Sequence, residues 1–343
     1  MGIAEDIRAK ALELGFEGLG AVRLADADLA GYVVRVEERE RKAPLGTGAY
    51  DFMRGLARPE RRFPEARSLV VAVIDVSRYR IPEGTGGLIG RHYLFDSRRN
   101  PQSPDSRRIT ALTGFLGRLG LRCLHDEHPG IAPMRWAAWK AGLGLIRRNN
   151  FFYTGTGSWK QITAWAADRE LELPGLQAPA PCPEDCGKCA EACPSGSLSG
   201  PYVMNMATCV SKLTYSPGPA GEGEIRRETG GWLYGCDVCQ DVCPFNRGRR
   251  QGTEDFPGLA ETAAKASPES ILAMDLPEIK RELAGKFFYI GDESLHRWKL
   301  NALNVIANTR RADLSDLVRR SLSDPSPEVR LLAAKVLERL SEG

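Results

Sequence analysis

The fold is decided by residues 182–244, which contain CPEDCGKCAEACP at 182–194 and CDVCQDVCP at 236–244, with Cys209 between them. Bacterial ferredoxins carry C-x2-C-x2-C-x3-C-P, in which the cysteine before the proline ligates the other cluster. Closely spaced cysteines on a tight loop reach three corners of one cubane, and the proline turns the chain away. The spacing therefore predicts a ferredoxin-like domain that holds two [4Fe-4S] clusters.

The ligands divide between the two predicted clusters by this crossing rule. The first cluster takes Cys182, Cys186, Cys189 and Cys243, and the second takes Cys193, Cys209, Cys236 and Cys239. The first spacing is x3 where ferredoxins have x2, a difference that a loop can absorb. Zinc ribbons and disulfides are the alternatives, but neither needs Cys-Pro after such a run. Cys123 is left over and is interpreted as a buried thiol in a strand.

Composition places the chain among soluble globular proteins. It has 343 residues, 42% hydrophobic and 27% charged, with a formal net charge of +3. No signal peptide or membrane span is recognised, so we predict a cytoplasmic protein without membrane association. In that reducing compartment, clustered cysteines favour metal ligands. Recurrent arginine pairs leave two interpretations open: a solvated surface, or a face that binds an anionic ligand.

Hydrophobic patterns divide the chain into three predicted regions. Residues 1–172 mix helical and strand patterns, with helices near 109–119 and 133–141, strands at 67–76 and 160–166, and a long loop at 80–106. Residues 173–250 hold eight cysteines and little periodicity, as in domains that a metal centre stabilises. Residues 251–343 are helical and include a phrase like a HEAT repeat unit near 324–334. The predicted class is α+β: an N-terminal α/β domain, a two-cluster domain and C-terminal HEAT-like helices.

Several phrases resemble epoxyqueuosine reductase, a cobalamin-dependent, two-cluster enzyme of tRNA modification. They are Cys209-Val-Ser-Lys-Leu-Thr214, Tyr234-Gly-Cys-Asp-Val-Cys-Gln-Asp-Val-Cys-Pro-Phe-Asn246, Ala141-Gly-Leu-Gly-Leu-Ile-Arg-Arg-Asn149 and Gly157-Ser-Trp159. The resemblance covers about residues 60–340, unevenly, and implies that the N-terminal domain is of the corrinoid-binding type. It also implies cofactor-binding roles for Arg91, Tyr93, Gly142, Gly144, Arg148, Asn149, Ser158, Trp159, Ser211, Leu213 and Thr214.

The resemblance further implies a mechanism. The clusters reduce a base-off corrinoid to cob(I)alamin, which engages the epoxide of the modified base, while a carboxylic acid protonates the departing oxygen. The family's acid is an aspartate in a phrase like VDTGP, and the local text here is Leu124-His-Asp126-Glu-His-Pro129. We favour Asp126 as the proton donor, with His128 as runner-up. An ordinary polar turn at the end of a strand is the alternative.

This chain also departs from the family's phrases. The GRDYH phrase is absent from Gly87-Leu-Ile-Gly-Arg91-His-Tyr93-Leu-Phe-Asp96, and the Gly-Lys of AGLGWIGKN is replaced by Arg147-Arg148. Three functions stay open: a reductase of epoxyqueuosine in tRNA, a related corrinoid reductase of a small organic substrate, and a two-cluster electron-transfer protein without corrinoid. The first implies tRNA and a low-potential donor such as ferredoxin or flavodoxin as partners. We expect a monomer.

Overall fold

The N-terminal half is built around an antiparallel sheet. In the computed structural model, which describes residues 2–44, 48–125, 130–173, 175, 178–217, 221–248 and 252–342, four strands pair in the order β1-β2-β6-β3. The strands are β1 (Gly18–Arg23), β2 (Ser68–Asp75), β3 (Cys123–His125), β4 (Leu145–Ile146), β5 (Phe152–Tyr153), β6 (Lys160–Ala167), β7 (Leu198–Gly200) and β8 (Val203–Met204). The pairs β4–β5 and β7–β8 form two small hairpins.

Helices cover the sheet and make up the C-terminal part of the chain. They are α1 (Ile3–Glu13), α2 (Leu29–Lys42), α3 (Ala49–Gly55), α4 (Arg91–Leu94), α5 (Pro104–Arg118), α6 (Met134–Lys140), α7 (Lys188–Glu191), α8 (Val210–Leu213), α9 (Val238–Asp241), α10 (Leu259–Ala263), α11 (Pro268–Ala273), α12 (Leu276–Ile279), α13 (Arg297–Thr309), α14 (Ser315–Arg320) and α15 (Pro327–Ser341). The mixed α and β architecture that the sequence predicts is confirmed.

Strand β2 is covered on both faces, which explains its unbroken run of Val, Ile and Leu. Val70 and Ala72 face a core that includes Ile7 of α1 and Leu116 of α5. Their neighbours in sequence face the opposite core, which includes Ala137 of α6. The side chains of a strand alternate between faces, so helices on both sides require apolar residues at every position.

The first core continues through the cluster region into the C-terminal helices. It includes Tyr234 beside the second cysteine run and Trp298 of α13. Their rings stack with centroids 5.1 Å apart and planes 7° apart. A separate core forms among α13, α14 and α15 and includes Leu303, Val318 and Leu332. The C-terminal helices are therefore packed firmly on the cluster region, while the region boundaries and the HEAT-like interpretation stay predictions.

Two local predictions need correction. The segment 80–106 is not one long loop: it contains α4 and the start of α5, because Pro104 is preceded by the helix-capping Ser103, whose Oγ accepts from Ser106 N at 3.1 Å. Cys123 is only half-buried, because β3 is an edge strand, although burial still raises its pKa to about 11. None of the described residues forms a helix long and apolar enough to cross a membrane.

Candidate iron–sulfur and cofactor site

The two cysteine runs adopt the same local structure. Each forms a one-turn helix, α7 or α9, after its first cysteines. The turn then closes in the same way: Cys193 N donates to Ala190 O, and Cys243 N donates to Gln240 O, both at 3.2 Å. The x3 spacing after Cys182 is therefore absorbed before the helical turn begins, and the two runs present their last cysteines alike.

The thiols come together as two sets. Burial raises the pKa of Cys189, a backbone hydrogen bond lowers it, and the nearby thiols of Cys182, Cys186 and Cys243 raise it further. Cys243 belongs to the other run, so it faces the first set across the space between the loops. This is the arrangement that the crossing rule requires for the first cluster.

The second set shows the reciprocal crossing. Burial raises the pKa of Cys236 to about 12, with contributions from Cys209 and Cys193. Burial raises the pKa of Cys239, and the nearby thiols of Cys236 and Cys209 raise it further. Cys189 of the first set also contributes to this increase. Cys193, from the first run, therefore faces the second set. The two groups of four thiols lie side by side, and their donor chemistry fits two [4Fe-4S] clusters.

No three His, Cys, Asp or Glu side chains within the described ranges lie close enough to hold a single metal ion. The ligand sets are therefore assigned from the crossing rule and from which thiols influence one another, and they fit a four-iron cluster rather than a single ion.

Polar side chains from the sheet domain hold the second run in place. Ser158 N donates to Asn246 Oδ1 at 2.9 Å, and Ser158 Oγ donates to Gln240 Oε1 at 2.8 Å. Asn246 Nδ2 donates back to Ser158 Oγ at 2.8 Å. Asn149 Nδ2 donates to Cys239 O at 3.1 Å. All four side chains are buried, so the predicted cofactor-binding residues Ser158 and Asn149 contact the cluster loop directly.

Arg148 performs the same task for the first run. Its Nη1 donates to Cys186 O at 2.9 Å, and its Nη2 donates to Glu184 O at 2.5 Å. A guanidinium suits two carbonyls because its donors lie in a rigid plane. The structure therefore places Arg148 against the loop of the first cysteines.

A second group of predicted residues surrounds Cys209 and Cys236. Tyr93 Oη and Ser211 Oγ share a hydrogen bond of 2.6 Å, and burial raises the pKa of Tyr93 well above its usual range. Thr214 Oγ1 accepts from Gly235 N at 2.8 Å. Leu213, between them, is buried and its carbonyl accepts from an arginine of the following loop, Arg226, at 2.8 Å.

Arg91 and Trp159 pack on each other at the edge of this group. The Arg91 guanidinium carbon lies 4.5 Å from the centroid of the Trp159 ring, a cation–π distance. Arg91 N donates to Asp237 Oδ2 at 2.8 Å. Asp237 is buried, and burial raises the pKa of its carboxyl to about 7. Helix α4 is thus attached to the cluster loop through its first residue.

The two predicted glycines, Gly142 and Gly144, act through the backbone conformation and close approach that they allow. Gly142 has φ +72° after the end of α6, a conformation that side chains disfavour. A Cβ on Gly144 would lie 2.1 Å from Tyr153 O, so only glycine allows β4 and β5 to approach. Both glycines therefore shape the turn that presents Arg148 and Asn149 to the cluster loops.

A polar recess borders the second set of thiols. The His92 ring is exposed to solvent, yet desolvation by the surrounding protein lowers its pKa; such a side chain lies in a concavity. The charge of Arg135 also lowers the pKa of His92. Arg39 and Tyr32 in turn influence the pKa of Arg135. Arg39 lies near Cys209, so the recess reaches a ligand of the second cluster.

The recess offers a buried donor without a partner. Arg39 Nη2 is buried and makes no hydrogen bond among the described residues. Desolvation lowers the pKa of both Arg39 and Arg135, as expected where two guanidinium groups share a partly dry space. The tyrosine rings of Tyr32 and Tyr93 add apolar surface. These residues fit a large cofactor that combines a flat ring with carbonyl or phosphate oxygens, as a corrinoid does.

The predicted proton donor, Asp126, and its runner-up, His128, lie outside the described residues. Sequence reasoning missed Asp237 and Arg39, whose neighbours come from distant parts of the chain. It singled out Arg147 only as a departure from a family phrase. The buried position of Arg147 and its contact with a cysteine sulfur are visible only in the folded structure.

Comparison with known proteins agrees with this geometry. Residues 182–246 match the family described as a 4Fe-4S double cluster binding domain. Epoxyqueuosine reductase of Leadbetterella byssophila is 29% identical over 268 residues, covering 74% of this chain and 83% of that protein. The Bacillus subtilis enzyme is 30% identical over 222 residues, covering 61% and 53%. The Xanthomonas campestris enzyme is 26% identical over 92% of this chain and 93% of its own length.

Solved structures show the same fold. The crystal structure of an epoxyqueuosine reductase with an epoxyqueuosine-modified tRNA stem loop has a TM-score of 0.78 at 23% identity, covering 98% of this chain and 89% of that one. The Streptococcus thermophilus structure has a TM-score of 0.76 at 20% identity, covering 100% and 91%. The relatives that match in sequence are epoxyqueuosine reductases, which confirms the predicted class of oxidoreductase. The resemblance of this chain to the epoxyqueuosine reductases is confirmed in both sequence and fold.

Proposed function

We propose that this chain is an iron–sulfur and cobalamin-dependent reductase that converts epoxyqueuosine to queuosine in tRNA. The observation that carries the proposal is the recess beside Cys209, where Arg39, Tyr93 and Ser211 meet a ligand of the predicted second cluster. A cofactor in this recess would lie next to its electron source. The similarity to epoxyqueuosine reductases supports the choice of substrate.

Residues of the recess would hold the corrinoid. Arg39 and Arg135 would donate to its carbonyl or phosphate oxygens, and Tyr93 would pack its ring with its hydroxyl fixed by Ser211. When bound and reduced, the corrinoid supplies the strongly nucleophilic metal centre for deoxygenation. The chain orients it, limits water and delivers the proton. Arg91, Arg148, Asn149, Ser158, Trp159, Leu213 and Thr214 would act mainly by fixing the cluster loops around this space.

Electrons would pass through the two thiol sets, which lie side by side and exchange one cysteine each. A cluster in each set would connect an external low-potential carrier, such as a ferredoxin or flavodoxin, with the recess. We propose a monomeric, cytoplasmic enzyme for this chemistry. Because both electrons reach the substrate through one small domain, the carrier needs to dock only near the first set.

The anionic substrate fits the charges around the recess. Besides burial, the charges of Arg98, Arg135 and Lys286 lower the pKa of His92, whereas Asp96 raises it. Lysine and arginine side chains neutralise RNA phosphates, and binding of that kind weakens steeply with salt. We propose that tRNA approaches from this side. Asp126 remains the proposed proton donor and His128 the runner-up, on the resemblance of residues 124–129 to the family's phrase; the role requires a group that can hold a proton near neutral pH.

The test is direct conversion. Reconstituted protein, cobalamin and a reduced low-potential donor are incubated with a tRNA stem loop that carries epoxyqueuosine, and the nucleosides are measured by mass spectrometry. The proposal expects queuosine, no product without cobalamin, and loss of product in Asp126→Asn with cobalamin still bound. His128→Gln is the matched variant. Retained cobalamin without conversion of the stem loop would point to a small organic substrate and refute the tRNA assignment.

A further inference from the structure

Arg147 is buried against the first set of cysteines. Its side chain ranks among the largest fully buried ones, with 1% of the residue exposed. Its Nη1 donates to Cys182 Sγ at 3.7 Å, and its Nη2 donates to Ala180 O at 2.6 Å. The family phrase that this segment resembles has a glycine here, so both contacts are additions made by this chain.

The guanidinium also packs against the loop that carries the crossing ligand, Cys243. Its central carbon lies 3.3 Å from the centroid of the Phe245 ring, two residues after Cys243. It lies 4.9 Å from the centroid of the Tyr153 ring, whose hydroxyl accepts from Asn149 Nδ2 at 2.9 Å. Arg147 therefore spans the first run and the loop that supplies the fourth ligand.

The charge of Arg147 is not neutralised locally. Among the described residues, Arg147 Nη1 and Nη2 donate to a cysteine sulfur and a carbonyl rather than to a carboxylate, and its Nε is buried without a hydrogen-bond partner. Arg148, by contrast, points to the carbonyls of Cys186 and Glu184, and its position is partly exposed. A buried, unpaired cation acts through low dielectric and is screened less by salt than an exposed one.

Hydrogen bonds to ligand sulfurs and nearby positive charge both favour the reduced state of an iron–sulfur cluster. On reduction the cluster takes up one electron and gains one negative charge, with no bond formed or broken. We propose that Arg147 is a potential-setting residue, which raises the reduction potential of the first cluster above that of the second by donating to Cys182 Sγ and placing an unpaired charge beside it.

The consequence is an order of reduction. The first electron from the low-potential carrier rests on the first cluster, and the second cluster, next to the recess, is reduced only by a further electron. A unit charge a few ångströms from the sulfurs shifts a one-electron equilibrium by at least about tenfold at protein dielectric, equivalent to ~59 mV. The inference rests on the two clusters of the proposed function but not on its substrate.

The test is an anaerobic dithionite titration followed by electron paramagnetic resonance, with iron per chain measured on the same samples. Arg147→Met keeps an unbranched apolar stem and removes the charge and donors. We expect its higher midpoint to fall by at least about tenfold in the one-electron equilibrium, ~59 mV. Arg147→Lys keeps the charge but loses the forked donors, so its midpoint should fall less. Lys188→Met removes an exposed charge from the same loop and should leave both midpoints unchanged.

Iron content separates the tuning role from the existence of the clusters. Wild-type protein without iron would refute the clusters and the proposed function together. Arg147→Met with wild-type iron and unchanged midpoints would overturn the tuning role alone, as would an equal shift in Lys188→Met. If Arg147→Met fails to hold the first cluster, Arg147→Lys decides: a lowered midpoint supports the inference, and a wild-type midpoint overturns it.

Discussion

Removing the Asn246 side-chain amide should weaken the attachment of the second cysteine run to the sheet domain. Asn246 is 1% exposed and makes three side-chain hydrogen bonds: it accepts from Ser158 N, and it donates to Ser158 Oγ and Gln240 O. In Asn246→Ala, Ser158 N becomes a buried donor without a partner. Gln240 O still accepts from Cys243 N, so one group is stranded rather than two.

The expected loss follows from these contacts. A stranded buried donor costs about 1–3 kcal/mol, and each lost neutral hydrogen bond contributes about 1 kcal/mol. We therefore expect the free energy of unfolding to fall by about 3 kcal/mol in Asn246→Ala. Ser158→Ala should cost less, because it keeps its main-chain bond to Asn246. The double variant should lose about 1 kcal/mol less than the sum of the two single losses, since both remove the hydrogen bond from Asn246 Nδ2 to Ser158 Oγ.

The assay is guanidinium unfolding of the anaerobically rebuilt protein, followed by tryptophan fluorescence and cluster absorbance. Trp159 adjoins Ser158 and Trp298 stacks on Tyr234, so both probes should report one transition that moves to lower denaturant. Replacement of the exposed amide Gln102 by alanine is the control. A loss below about 0.5 kcal/mol, or strictly additive losses in the double variant, would refute the reasoning.

Three further outcomes are expected. Burial lowers the pKa of Lys286 from 10.5 to about 8, so between these pH values the unfolded chain holds a proton that the folded chain lacks, and stability rises with pH across that window. Lys286→Met should therefore be more stable than the wild type at pH 7 by about 1–2 kcal/mol, after the loss of the lysine's hydrogen bond to a carbonyl is subtracted. A gain that stays constant up to pH 10.5 would contradict this. Gly144→Ala should destabilise the fold by more than about 2 kcal/mol, because the added Cβ would clash with Tyr153 O. Gly155→Ala is the control and should not destabilise the fold, because no atom lies near a Cβ added there. Equal midpoints of the two variants in thermal unfolding would contradict the claim. Cys243→Ala should remove about four irons, with no further loss on adding Cys189→Ala but near-complete loss on adding Cys236→Ala; the reverse pattern in iron analysis would disprove the crossing of ligands.

The sequence predicted those features in which local spacing determines geometry. The cysteine runs, with proline after the last cysteine, indicate two clusters because few other structures need that spacing. The run at 67–76 reads as a buried strand, and β2 is buried on both faces. The pattern at 133–141 predicts a helix, and α6 (Met134–Lys140) lies within that range.

Features that depend on distant contacts could not be predicted. Strand β1 contains two glycines and is stabilised by its pairing with β2, and helix α2 is rich in charged residues and buries Val36. The roles of Asn149 and Ser158 depend on Cys239, Gln240 and Asn246, which are more than 80 residues away in sequence. The recess likewise assembles residues from α2, α4 and α6. Sequence phrases identified several of these positions, but not which partner each one contacts.

Simultaneous measurement of iron and cobalt tests the central claim most directly. The protein is purified without oxygen, its clusters are rebuilt, cobalamin is added, and excess cofactor is removed before both metals are counted per chain. Two [4Fe-4S] clusters and one corrinoid require about eight irons and about one cobalt, and Arg39→Ala should lower the retained cobalt while leaving the iron unchanged. Full iron without retained cobalt would contradict the corrinoid site and leave a two-cluster electron carrier, and little iron would contradict the account as a whole.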